Sequence, residues 1–120
     1  MKYMIMMLGD AGTMREVKSP EWIREMIEFM GKINQELIQS GELVDGQGLA
    51  DPSTAKVVQI SGGVPVATDG PYAEAKESLA GYWMVDVVDE ARAIEIASKV
   101  VAFTQEPLEV RQVMDAPPEA

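Results

Sequence analysis

The 120-residue sequence has no cysteine and no histidine. Without cysteine there is no disulfide, no thiol nucleophile and no thiolate zinc site. Without histidine there is no imidazole base and no imidazole metal ligand. Cations are scarce as well: Lys and Arg number 10 against 20 Asp and Glu, a net charge of -10. That balance disfavours nucleic acid and anionic membrane surfaces, which are held mainly by Lys and Arg. No stretch approaches the roughly 18 consecutive apolar residues of a membrane helix. The apolar start, residues 1–8, is too short for the core of a signal peptide. Phosphate-binding loops are missing: Gly46-Gln47-Gly48 lacks a third glycine and a strand–helix setting. Acidic residues are abundant but not spaced as in a calcium-binding loop. These absences lead us to expect a cytoplasmic protein with no metal site and no cofactor.

What remains is an ordinary globular composition, 47% hydrophobic, long enough for one domain with a real core. We place that domain at residues 1–114, with a short tail at 115–120. Residues 2–8 (KYMIMML) read as a strand apolar on both faces, stopped by Gly9-Asp10-Ala11-Gly12. Residues 20–40 read as a helix. Ser19 is its N-cap, Pro20 its first residue and Gly41 its stop. Trp22, Ile23, Met26, Ile27, Met30, Ile33, Leu37 and Ile38 recur at helical spacing. Residues 42–50 suggest a strand with a bulge or close backbone approach at Gly46 and Gly48. Residues 55–60 and 64–68 form a hairpin through Ser61-Gly62-Gly63. One or two helical turns fit residues 72–79. Residues 81–88 form a strand, Asp89 caps a helix running to about residue 101, and 108–113 form the last strand. This order implies an α+β two-layer sandwich of the ferredoxin-like type, with both helices on one face of an antiparallel sheet. The strands at 2–8 and 81–88 are apolar on both faces, so a second subunit is expected on the open one, making a homodimer.

One stretch is more specific. Thr68-Asp69-Gly70-Pro71-Tyr72-Ala73-Glu74-Ala75-Lys76-Glu77, followed by Gly81-Tyr82, resembles the signature of the DGPF proteins of the YCII-related family. Ser19-Pro20-Glu21, Asn34-Gln35-Glu36-Leu37, Gly46-Gln47-Gly48-Leu49 and Glu109-Val110-Arg111 match its other segments in order. The resemblance implies a bacterial protein with a ferredoxin-like subunit forming a dimeric α+β barrel. It also implies a regulatory setting, since many members lie beside sigma factors. Some wider relatives carry a His–Asp pair proposed as an active site, and that chemistry does not transfer to a chain without histidine. Gln47 and Ala75 stand where the family usually has Glu and Thr, so an acid–base role at those two positions does not transfer either.

Asp69, Glu74, Lys76 and Glu77 form the densest polar cluster between apolar strands. They are the candidate catalytic set, because a carboxylate beside a lysine can act as acid, base or anion clamp when burial shifts its pKa. The alternative reading is structural, with Asp69 bracing its turn and the others forming a solvated salt-bridge face. Asp10, Lys76, Tyr82 and Arg111 are the candidate ligand contacts. Asp86 sits among apolar neighbours, with Arg111 as a possible partner in place of a ligand. The nine methionines supply core packing or an adaptable apolar pocket. Three functions follow: a homodimer binding a small molecule between the sheet and the 69–77 loop, an enzyme using carboxylate acid–base chemistry on a small metabolite, or a protein-interaction module.

Overall fold

Residues 2–8 are apolar on both faces apart from Lys2, and they form strand β1 (Lys2–Leu8), ahead of the break at Gly9. The computed structural model describes residues 1–9, 18–72 and 77–117. After β1 come α1 (Pro20–Ser40), β2 (Leu43–Gly48), a 3₁₀ turn (Pro52–Thr54), β3 (Lys56–Ser61), β4 (Val64–Asp69), β5 (Leu79–Asp86), α2 (Glu90–Thr104) and β6 (Leu108–Gln112). The main sheet has the order β2-β5-β1-β6, and every neighbouring pair is antiparallel. Strand β5 therefore lies between β1 and β2, and β1 lies between β5 and β6. Two interleaved split β-α-β units result, the ferredoxin-like arrangement. No helix among the described residues is long and apolar enough to cross a membrane.

Register decides which face is covered. Tyr3 pairs with Val85 and Ile5 with Trp83. All four are buried and pack with Val87, with Ile33 and Leu37 of α1, and with Ala93, Ile96, Ala97 and Val100 of α2. The intervening residues Met4, Met6, Tyr82 and Met84 point to the other face and are half-buried. Both helices thus lie on one side, as the order of elements implies.

The helix ends are set by local chemistry. Ser19 accepts from the Trp22 N–H, and Gly41 closes α1 at φ 78°, a left-handed value that glycine adopts without strain. Asp89 accepts from the Arg92 N–H at 2.9 Å and starts α2. Asp89→Ala is expected to cost about 1 kcal/mol in urea denaturation; an unchanged midpoint would remove the cap from the account. Helix α2 runs three residues past the expected end. The extra turn carries Phe103, whose ring stacks on Phe29 at 4.6 Å and lies 5.7 Å from Trp22. Of the expected α1 stripe, Ile27 and Ile38 are exposed, because two helices on a small sheet cover a narrower arc than the apolar pattern spans.

Strand β5 begins at Leu79 and ends at Asp86, two residues before the expected limits. Val88 is 81% exposed. Asp86 does not pair with Arg111. The Met1 amino group donates to Asp86 at 2.9 Å and holds its carboxyl below the usual carboxylate range, while Arg111 donates to Glu109 at 2.7 Å. The register places Asp86 opposite Lys2 and Arg111 opposite Met4, which keeps the two apart.

Strands β3 and β4 form a separate two-stranded sheet. Its turn residues, Gly62 and Gly63, have φ 61° and 83°, as a two-residue hairpin turn of this hand requires. Pro65 sits on this short ribbon opposite Ile60, where a missing N–H is tolerated. Val58, Ile60 and Val64 remain exposed.

Candidate ligand pocket

Helix α1 presents Met26, Met30 and Asn34 at successive four-residue steps, so the three stand on one face. That face meets the ends of β1, β2 and β5 and leaves a cavity of about 340 Å³, near the lower end of ligand-pocket sizes. The sheet lines it with Met7, Leu8 and Gly9 from the β1 end, Gly46, Gln47, Gly48 and Leu49 from β2 and beyond, and Ala80, Gly81, Tyr82 and Trp83 from β5.

Two glycines make this geometry possible. A Cβ on Gly46 would stand 3.2 Å from Cδ1 of Trp83, so the bare backbone lets the indole lie against β2. A Cβ on Gly81 would stand 3.0 Å from the Gln47 carbonyl oxygen, so glycine there keeps β2 and β5 in pairing distance. The close approach anticipated at Gly46 is therefore real, and its cause is Trp83. The register shift in this strand falls between Leu43 and Asp45, ahead of the two glycines, which pair regularly with Trp83 and Gly81.

The polar groups are few and ordered. Trp83 Nε1 donates to Asn34 Oδ1 at 2.8 Å. On the open side of the sheet, the Tyr82 hydroxyl donates to Asp45 Oδ2 at 2.9 Å, and Gln47 Nε2 donates to Asp45 Oδ1 at 3.3 Å. The hydroxyl of Tyr82, then the Gly46 N–H, hold the Asp45 carboxyl below its ordinary range, and the same carboxylate pushes the Tyr82 phenol up. Near neutral pH the pair is thus a fixed phenol–carboxylate brace, poorly suited to proton transfer. Among the described residues, those lining the cavity contain no carboxylate, amine or guanidinium.

Of the residues singled out in the sequence, Tyr82 stands at the cavity wall on β5, with its side chain turned to the open face of the sheet, where its hydroxyl meets Asp45. Arg111 stands on β6, across β1 from β5, exposed and paired with Glu109. Asp69 ends β4, where the Lys56 ammonium donates to it. Glu77 is exposed. Asp10, Glu74 and Lys76 lie outside the described residues. Among the methionines, Met7, Met26 and Met30 line the cavity, whereas Met4, Met6 and Met84 lie on the open sheet face. Asn34 was not singled out as a site residue. Its signal was an amide at helical spacing from two methionines on an otherwise apolar stripe.

A second polar feature stands apart from the pocket. The Arg92 guanidinium donates through Nε and Nη2 to the two oxygens of Glu42, at 2.9 and 2.8 Å. Its Nη1 reaches Glu95 at 2.6 Å, and the Ser40 hydroxyl donates to Glu42 at 2.8 Å. The Arg92 hydrogen bond is the main cause holding the Glu42 carboxyl below its ordinary value.

Comparison with known proteins relates the chain to a family by its sequence. The chain is 25% identical over 79 residues to an uncharacterised protein of Rhizobium meliloti (strain 1021), a match covering 66% of this chain and 64% of that relative. The family model described as YCII-related domain matches residues 1–117. Matched along nearly its whole length, the chain belongs to the YCII-related domain family.

Proposed function

We propose that this protein is a homodimer that binds a small, largely apolar molecule in the cavity under α1. The observation that carries the reading is the cavity itself: about 340 Å³, walled by three methionines, a tryptophan and bare glycine backbone, with a few placed polar groups. That composition is typical of small-molecule sites. The described lining residues carry no acidic or basic side chain, which supports binding over acid–base turnover by them. The homodimer is supported by the open sheet face, where Met4, Met6, Tyr82 and Met84 are left half-buried with both helices on the opposite side. A second copy meeting that face about a two-fold axis covers the same residues on both subunits.

Native mass spectrometry of the full chain, with and without added 2-naphthamide, tests both halves. The expected species weighs twice 13.1 kDa and retains either a co-purified compound or the probe. Met30→Trp, which fills the cavity, is expected to keep the dimer and lose the bound mass. A monomer overturns the assembly. A dimer that retains nothing, in wild type and variant alike, overturns the binding.

A further inference from the structure

We infer that the cavity is built for an uncharged, flat molecule bearing a hydrogen-bond acceptor such as a carbonyl, held by the side-chain amide of Asn34; this rests on the binding reading above. The first observation is directional. An indole N–H can only donate, so Trp83 Nε1, at 2.8 Å, fixes Oδ1 as the Asn34 atom it meets. The amide NH₂ is thereby turned the other way. Among the described residues it makes no hydrogen bond, and Asn34 is part of the cavity wall. Two oriented donors stand on a residue of the cavity wall, with no acceptor supplied to them among the described residues. An acceptor on a ligand satisfies them.

The second observation is charge. Among the described residues, those lining the cavity carry none, in a chain whose net charge is -10. A carboxylate or phosphate brought into this space would lose its hydration with no cation among the described lining residues to replace it. An ammonium would find no carboxylate among those same described side chains. Burying an unpaired charge costs far more than one amide hydrogen bond returns. The third observation is shape. The β2 wall is backbone at Gly46 and Gly48, and nothing stands within 4 Å of where a Gly48 Cβ would be. Opposite it are the thioethers of Met26 and Met30, which pack favourably on ring edges.

The test compares three probes sharing one ring system on the full chain: 2-naphthamide, 2-naphthoate and naphthalene. Affinities are measured by calorimetry, and the Asn34 side-chain NH₂ resonance is followed by NMR. The amide probe is expected to bind about tenfold more tightly than either of the others and to shift that resonance. Asn34→Asp keeps an oxygen for Trp83 but removes the donors, and it is expected to weaken 2-naphthamide about tenfold. Equal binding of the three probes, preference for 2-naphthoate, or an unmoved Asn34 resonance overturns the inference and leaves the binding reading standing. Failure of all three to bind, with Met30→Trp indistinguishable from wild type, overturns the binding reading itself. The probe series on the wild-type chain decides the matter even where the variant does not fold.

Discussion

Trp83→Ala is expected to cost about 3–5 kcal/mol of stability, the largest loss from any single side chain lining the pocket. Trp83 is 8% exposed, lies on the covered face of β5 opposite Ile5, and presses its ring against the β2 backbone at Gly46. Removing it enlarges the cavity and withdraws the donor that orients Asn34. For a chain of this length the loss corresponds to roughly 15 °C in Tm. Trp83→Phe separates the two contributions. It keeps most of the apolar surface, loses the Nε1 hydrogen bond, and is expected to cost about 1 kcal/mol. Urea denaturation of both variants checks this. An alanine variant within 1 kcal/mol of wild type would mean that the indole is not part of the packed core.

Arg92→Met is expected to cost about 2–3 kcal/mol. The value lies below that of a fully buried pair because Arg92 and Glu42 keep 26% and 18% of their side-chain exposure. The loss comes mostly from leaving Glu42 half-buried with the Ser40 hydroxyl as its remaining side-chain donor. The double variant Glu42→Gln/Arg92→Met is therefore expected to lose much less than the two single losses added together. Acid should reveal the same pair. The folded carboxyl of Glu42 sits below its ordinary value of 4.5, so on acidification the unfolded chain takes up the proton first. The stabilisation is present above that ordinary value and is lost as pH falls through the lower, folded value. The gap between wild type and Glu42→Gln should be constant near neutrality and close on acidification. A gap that stays flat down to about pH 3 would remove Glu42 from the account.

The backbone of this fold was legible because its signals are local. Ser19, Pro20 and Gly41 mark α1 by their own conformational preferences, and a short apolar run stopped at Gly9 marks β1. Gly62-Gly63 announces the β3–β4 turn for the same reason. The end of α2 is not set locally, because Phe103 belongs to the helix through a ring contact with Phe29, many residues away. The candidate site was legible only in part. Tyr82 and the methionines were picked out as residue types, but Asn34 was passed over, because an exposed-looking amide on a helix gains meaning only when Trp83 arrives beside it.

The amino-acid sequence by itself determined the absence of thiol and imidazole chemistry, the acidic balance, the order of strands and helices, and the two apolar faces of β1. Tertiary structure alone decided which of those faces the helices cover, that Arg111 meets Glu109 and Asp86 the Met1 amino group, that Arg92 clamps Glu42, and where the cavity opens. The reason is register. Side-chain direction alternates residue by residue along a strand, so a slip of one position exchanges the faces and with them every cross-strand neighbour. That choice is made by the packing of the whole sheet against both helices, and no local stretch of sequence contains it.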